Sequence, residues 1–137
     1  MSLDDIMVDE QQMNEKELSE ALKGKINVGK DSGELFFQDG FHEHKSEDKL
    51  ALVMLGRKVA DIQGVIDDEK AKTKKFEELT GMPKGTIKTA LKSLRDKNIA
   101  KSDNGEYWIP NPNITRIKKK MQEDFNNGRS FHQHKIR

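Results

Sequence analysis

The most hydrophobic stretch of the chain follows Ser46, which with Glu47 and Asp48 forms a typical helix start. Hydrophobic residues then recur at helical spacing, which predicts an α-helix over about residues 46–62. Because its apolar side covers more than half of the circumference, this helix should be buried on two sides. The second side would face either the N-terminal part of the chain or another subunit. The hydrophobic residues that form this apolar side are Leu50, Leu52, Val53, Met54, Leu55, Val59 and Ile62.

Two shorter amphipathic helices follow, over residues 73–80 and 84–97, with a glycine turn between them. Gly81 supplies the backbone conformation that ends a helix, and Pro83 suits the start of the next one. Two short helices joined in this way form a helix-turn-helix. The residues predicted to point inward are Phe76, Leu79, Ile87, Ala90, Leu91 and Leu94. The outward side of the second helix carries Lys84, Thr86, Lys88, Thr89, Lys92 and Arg95.

A β-hairpin is predicted directly after the second short helix, over residues 99–109. Asn104-Gly105 lies between two short apolar runs, which is a strong hairpin signal. Asn113 then begins a last helix with an apolar stripe at roughly helical spacing. That helix would either pack back on residues 50–62 of the same subunit or form a dimer interface. Its stripe consists of Ile114, Ile117, Met121 and Phe125.

The N-terminal third has weaker patterns. Residues 1–13 are acidic and without periodicity, which predicts disorder. Residues 14–44 predict a small module: a helix capped by Asn14 and ended by Gly24, then a hairpin. Since such a hairpin is marginal alone, it should be anchored by aromatic side chains. The predicted anchors are Phe36, Phe37 and Phe41.

These patterns predict an α+β fold that is mainly α-helical. Residues 46–125 would form one domain, with the small helix and hairpin module before it and a flexible tail over 126–137. The chain has no cysteine, which rules out disulfides and thiolate metal sites. It has no long apolar run and no positively charged leader, which suits a cytoplasmic protein that does not span a membrane.

Charge divides the sequence into two parts. Residues 1–44 hold 4 Lys/Arg and 11 Asp/Glu, a net charge of −7, whereas residues 45–137 hold 21 and 13, a net charge of +8. The basic part is therefore the candidate for a polyanionic partner. The acidic part would be a regulatory, dimerising or partner-binding element, and it could shield the basic face within the same chain.

The segment around the glycine turn resembles the winged helix-turn-helix domains of bacterial and archaeal transcription regulators. The resemblance covers roughly residues 46–121 and is carried by a turn of the form Leu-Thr-Gly with a Thr-Ile pair beyond it. Asn98 stands where these domains usually have glycine, and asparagine tolerates the same left-handed conformation. The matching residues are Leu79, Thr80, Gly81, Thr86, Ile87, Leu91, Leu94 and Ile99.

The resemblance implies a DNA-binding protein, and specifically a transcriptional regulator that binds double-stranded DNA, with residues 83–97 as the recognition helix in the major groove. The N-terminal half of such a helix reaches base edges, so the base-contact candidates are Lys84, Thr86, Lys88 and Thr89. The phosphate-contact candidates are Lys92, Arg95, Lys101, Asn104, Arg116, Lys118 and Lys119. A homodimer would form through the helices at Leu50–Ile62 and Ile114–Phe125.

Two alternatives remain open on sequence alone. One is that the lysines simply form a solvated helix face, and the other is that the domain is a protein-interaction or RNA-binding module of a larger assembly. No catalytic residues, cofactor or metal site are predicted. The segment 24–30 fits the first part of a phosphate-binding loop but continues with Asp31 instead of Ser or Thr. The pairs His42/His44 and His132/His134 are interpreted as surface histidines, although each could hold one edge of a metal.

Overall fold

The computed structural model describes residues 2–136, with the side chains of residues 2–127. The fold is α+β and mostly helical, as the sequence predicts. Short 3₁₀ turns lie at Leu3–Ile6 and Asn111–Asn113. The α-helices are α1 (Glu10–Leu22), α2 (Asp39–His42), α3 (Ser46–Ile62), α4 (Thr73–Thr80), α5 (Lys84–Asp96) and α6 (Ile114–Ile136).

Five short strands form two antiparallel sheets. The first pairs β1 (Ile26–Val28) with β2 (Leu35–Phe37). The second has the order β3-β5-β4, with β3 at Ala71–Lys72, β4 at Lys101–Asp103 and β5 at Glu106–Trp108. The turn between β4 and β5 has positive φ at both Asn104 and Gly105, 51° and 79°. Two consecutive left-handed residues characterise the tight hairpin turn that Asn-Gly favours, so this prediction is confirmed.

Helix α3 lies at the centre of the molecule. Leu50, Leu52 and Leu55 are completely buried, and the helix packs against α5 on one side and against α1 and β1 on another. Gly56 shows how close the hairpin comes, because a Cβ built there would lie 2.9 Å from Cδ2 of Leu35 in β2. Of the two predicted occupants for the second side of α3, the N-terminal hairpin is therefore the one observed.

Helix α1 begins earlier than predicted. The side chain of Asp9, and not that of Asn14, caps it by accepting a hydrogen bond from the Gln12 amide at 3.1 Å. Residues 10–13, which were expected to be disordered, are thus its first turn. The predicted end is correct, since Gly24 adopts a positive φ of 76°. The buried residues of α1 join the same core as α3, so residues 14–44 are not a separate module.

One of the three predicted aromatic anchors is wrong. Phe36 is half exposed, because alternation along β2 turns it away from the face that Leu35 and Phe37 share. The ring of Phe37 stacks on that of buried Phe41, with centroids 4.3 Å apart. Phe41 itself lies on α2, which follows β2 directly after Gln38.

Helix α6 packs against α1 and α3 of its own chain, and Ile114, Ile117 and Met121 are buried there. The residues predicted to form a homodimer interface on α3 and α6 are thus largely used inside the chain, which corrects that prediction. The helix also extends to Ile136, where the sequence predicts a flexible tail from Asn126. No proline ends the helix in that stretch. Within residues 2–136, no helix is long and apolar enough to cross a membrane.

Candidate nucleic-acid interface

The turn between α4 and α5 is held by local hydrogen bonds. Gly81 has a φ of 71° and its amide donates to the Glu77 carbonyl at 2.8 Å, which closes α4. The Thr80 hydroxyl donates to the Phe76 carbonyl at 2.7 Å and accepts from the Met82 amide at 3.1 Å. Pro83 then starts α5 with a φ of −60°. The two predicted short helices and the glycine turn between them are therefore present.

Helix α5 is strongly two-sided. Ile87, Leu91 and Leu94 are completely buried, and this face packs against α3 and α4. Asn98 ends the segment with a positive φ of 61°, so the asparagine adopts the left-handed conformation expected of it. The helix rises about 20 Å over its 13 residues at ~1.5 Å per residue. The side away from the core is consequently a long, exposed and rigid surface.

Four basic side chains share one flank of that surface, and we call them the basic stripe: Lys84, Lys88, Lys92 and Arg95. They follow one another at intervals of three or four positions, which places them in a row on a helix. All four are exposed. Arg95 forms a weak pair with its neighbour Asp96 at 3.4 Å. Among the described residues, the three lysines have no ion-pair partner, so their charge is available to an external anion.

Thr86 and Thr89 are exposed but lie on the other flank of α5. They line an open groove of about 680 Å³ together with Ser46 and Glu47 at the start of α3. The four predicted base-contact residues are therefore split between the two flanks, with only Lys84 and Lys88 on the basic stripe.

The hairpin β4–β5 carries charges of both signs. Lys101 and Asn104 are exposed, as expected of phosphate-contact candidates. Asp103 lies opposite Glu106 in the same hairpin, so carboxylates accompany these two residues. Trp108 is half-buried, and the ammonium of Lys70 lies 4.5 Å from its ring centroid. The hairpin thus offers fewer free positive charges than α5.

Two of the three candidates on α6 have structural roles. Arg116 donates hydrogen bonds to the carbonyls of Asn98 and Lys97, at 2.9 and 3.2 Å, and so caps the end of α5. Lys118 lies 2.9 Å from Glu17 and 3.4 Å from Glu20 on α1. This contact lowers the pKa of Glu17 and raises that of Lys118. Lys119 is exposed and has no such partner in the described part of the chain.

A second basic surface was missed by sequence reasoning. Lys72, Lys74 and Lys75 line a shallow groove of about 370 Å³ at β3 and the start of α4, with Lys70 and Arg57 beside them. Two carboxylates, Glu78 and Glu106, line the same groove. No side chain caps the start of α4, so its amides add partial positive charge. The sequence signal was present, since four of the six residues from 70 to 75 are lysine.

A cluster of carboxylates joins α3 to α6 behind α5. The ammonium of Lys120 lies 2.5 Å from Glu47, 2.7 Å from Asp48 and 2.6 Å from Asp124. Burial raises the pKa of Asp48 to about 6, in spite of the hydrogen bond from Lys120. Burial also acts to raise the pKa of Glu47, but hydrogen bonds from Lys120, Ser93 and Lys97 lower it to about 2.

This cluster is also where the described residues could offer several carboxylate ligands to a metal ion. The ammonium of Lys120 already contacts all three carboxylates, so a lysine supplies the positive charge. His42 ends α2 and is exposed, whereas His44 is partly buried and burial lowers its pKa. The two therefore do not lie on one extended strand, where alternate side chains would point to the same side. The pair His132/His134 falls outside the residues whose side chains are described.

No family model, curated protein or solved structure matches this chain at a significant level.

Proposed function

We propose that this protein binds double-stranded DNA through a winged helix-turn-helix formed by residues 46–121, and that it acts as a transcriptional regulator. In this proposal α5 is the recognition helix and the β4–β5 hairpin is the wing. A core helix, a helix-turn-helix and a hairpin follow one another in the order expected of that class. The rigid Gly81 turn supports the proposal because it sets α5 at a fixed angle to the rest of the domain.

The observation that carries the proposal is the basic stripe of α5. An exposed lysine whose neighbours are neutral or also basic is attracted to a polyanion over roughly a Debye length, about 8–10 Å at physiological salt. Three such lysines in a row can neutralise several phosphates of a nucleic-acid backbone, whereas an isolated anion would use only one of them. Lysines at the start of the helix also suit guanine acceptors in the major groove.

The surface at Lys72, Lys74 and Lys75 extends the proposed contact beyond α5. These lysines belong to α4 and β3, which are tied to α5 and to the hairpin by the shared core and sheet. We assign them to phosphates, because they lie on β3 and α4 and not on the proposed recognition helix. Lys101 and Lys119 are assigned the same role. Arg116 and Lys118 leave the list of contacts, since they already bind partners within the chain.

Fluorescence anisotropy of a labelled duplex, measured at several salt concentrations, tests the proposal. The expected result is a log affinity that falls linearly with log salt concentration, with a slope of about −0.9 for each phosphate contact. The double variant Lys88→Ala/Lys92→Ala should bind more weakly and flatten the slope by up to ~1.8, since two contacts are lost.

The matched control removes two lysines from the N-terminal part that are also exposed, Lys16→Ala and Lys30→Ala. It changes the net charge by the same amount but leaves the basic stripe intact, so duplex affinity should stay close to that of the parent. Equal losses in the two double variants would mean that only total charge matters and would contradict the recognition-helix assignment. If the parent chain does not bind duplex even at low salt, the basic stripe becomes a candidate surface for an acidic protein or for RNA.

A further inference from the structure

The sheet β3–β5–β4 carries the single tryptophan of the chain on its outer face. Ala71 pairs with Tyr107, and both pack against the core on the inner face, where Ala71 is buried. Since successive side chains of a strand point to opposite faces, Trp108 lies on the outer face. It remains partly exposed there. This face of the sheet thus presents a large aromatic ring to solvent.

Two lysines flank Trp108 across the sheet. Lys101 of β4 is its partner in the strand register. Continuing the register of β3 by one residue places Lys70 on the other side, and its ammonium lies 4.5 Å from the centroid of the indole ring. Neighbouring strands are ~4.8 Å apart, so the two lysine backbones are separated by on the order of 10 Å. One flat ring therefore lies between two positive charges, and we call these three residues the Trp108 row.

The charge of both lysines is available to an external anion. Within residues 2–127, neither of them forms an ion pair with a carboxylate, and Lys101 is exposed. The register places two carboxylates on the same face, Asp103 and Glu106, which lie opposite each other beside the hairpin turn. Lys72 is the neighbour of Glu106 on β3. Positive charge is therefore concentrated at the Trp108 end of the outer face, away from the turn.

The segment that carries Lys70 is held in place by Arg57 of α3. The guanidinium donates hydrogen bonds to the carbonyls of Asp68, Glu69 and Lys70, at 2.9, 3.0 and 3.4 Å. The amide of Lys70 also donates to the Asp68 carboxylate at 2.9 Å. Because this backbone is already fixed, a ligand would have to order only the flexible lysine side chain, which lowers the entropic cost of binding.

We propose that the Trp108 row binds single-stranded nucleic acid, with one unpaired base stacked on the indole and the phosphates on either side paired with Lys70 and Lys101. Aromatic side chains between basic ones are the usual means of holding an unpaired strand without reading its sequence. In a duplex each base is covered on both faces by its neighbours, so the indole favours an unpaired base. The ammonium of Lys70 now lies over the ring, and its flexible four-carbon stem allows it to move to a phosphate when a base takes that position.

The proposed site is separate from the basic stripe. Helix α5 contributes no residue to it, so the proposal does not depend on the binding of duplex DNA by α5. Lys101 keeps the ligand class assigned to it above, a phosphate, but the phosphate here belongs to an unpaired strand. If both proposals hold, the chain binds paired DNA through a helix and an unpaired segment through a sheet.

The fluorescence of Trp108 tests the proposal without a label, because the chain has no other tryptophan. The intact chain is titrated at low salt with oligothymidylate of about ten nucleotides and, in a second arm, with oligouridylate of the same length. We expect saturable quenching in at least one arm, and the arm with the tighter binding identifies the strand as DNA or RNA. A blunt duplex of the same length should quench much less, because it offers no unpaired base.

Anisotropy of a labelled form of the tighter oligomer measures the affinity of variants. Trp108→Leu should weaken single-strand binding by about 5-fold to 150-fold, as expected for the loss of one stacked base, and Trp108→Phe should recover part of it. Lys70→Gln and Lys101→Gln should each flatten the salt slope by ~0.7. Lys30→Gln, at an exposed position between β1 and β2, is the control and should leave affinity and slope unchanged.

Three results would overturn the proposal. The first is the absence of quenching by either oligomer at low salt. The second is equal quenching by the single strand and the blunt duplex, because an unpaired base would then not be required. The third is the loss of single-strand quenching in Lys88→Ala/Lys92→Ala, which would place the strand on α5. Circular dichroism checks the fold of Trp108→Leu, and the lysine variants test the site even where that variant does not fold. A failure of duplex binding alone concerns α5 and leaves this site intact.

Discussion

Helices α5 and α6 are both rich in basic residues, but they use their charges differently. On α5, Lys84, Lys88 and Lys92 point into solvent and pair with no described residue. On α6, Lys118 and Lys120 contact carboxylates of α1 and α3. A count of charges along the sequence cannot separate these roles, because the partners of the α6 residues lie far away in sequence. The role of a lysine therefore depends on which helix or strand of the fold faces its side chain.

Removing the ammonium of Lys120 is the most direct test of the structural role assigned to the basic residues of α6. Lys120→Met would leave Glu47, Asp48 and Asp124 close together without their shared cation. We expect a loss of about 3–5 kcal/mol in the free energy of unfolding, as when one member of a buried ion pair is deleted. Urea denaturation measures it. Lys119→Met, at the exposed neighbouring position, is the control and should change stability by less than about 0.5 kcal/mol.

The same cluster predicts a dependence of stability on pH. Asp48 has a raised pKa of about 6 in the folded protein, so the folded state binds more protons than the unfolded state between about pH 4 and 6. The contribution of Asp48 to the free energy of unfolding therefore increases as the pH falls through 6. Glu47, with a pKa of about 2, acts in the opposite direction, since its contribution is lost as the pH falls from about 4.5 towards 2.

Thermal unfolding between pH 7 and pH 3 checks this prediction with the variant Asp48→Asn. In the parent, Asp48 should contribute a slope of up to ~1.4 kcal/mol per pH unit between pH 4 and 6. In the variant that contribution should vanish, whereas the loss of stability below about pH 4.5 should remain. An unchanged profile between pH 4 and 6 would show that Asp48 does not bind the extra proton.

Arg116 tests the same difference between structural and free charges at the point where α6 meets the end of α5. Arg116→Ala removes the hydrogen bonds to the carbonyls of Lys97 and Asn98, and we expect a loss of about 1 kcal/mol in stability. The salt dependence of duplex binding should be unchanged, because Arg116 is bound to the end of α5. If Arg116→Ala keeps the stability of the parent but flattens the salt dependence of duplex binding, Arg116 contacts a phosphate instead of only capping α5.

The smallest effect is expected at Lys118. Its pairs with Glu17 and Glu20 lie at the surface, where solvent screening limits their contribution to between about 0 and 1 kcal/mol. Lys118→Ala should therefore change the melting temperature only slightly, and less at high salt. A large, salt-independent loss would show that this contact organises the packing of α1 on α6.

Elements with strong local signals could be predicted from the sequence. Helix α4, the turn at Gly81, helix α5 and the Asn104-Gly105 hairpin all lie within a residue or two of their predicted positions. In each case a cap, a glycine or an apolar period marks the boundary. The start of α1 was misplaced because Asp9 and Asn14 are both good caps, and only the folded structure selects between them.

Features that depend on distant contacts could not be predicted in the same way. The two-residue strand β3 is too short to show alternation and is defined by its partner β5. The pairing of Lys118 with Glu17 joins positions 101 residues apart. The separation of Thr86 from Lys88 by flank was accessible from helical geometry. What the sequence did not reveal is that the threonine flank lines a groove with α3.

The short pairing of β3 with β5 has a consequence for how this half of the molecule opens. Ala71 pairs with Tyr107, 36 residues later, and α4 and α5 lie on the chain between them. The β3–β5 pair thus closes a loop that contains α4 and α5. Bringing the ends of so long a loop together has an entropic cost that a two-residue hairpin avoids. Amide hydrogen exchange at Ala71 and Tyr107 should therefore report opening of the whole loop rather than local fraying.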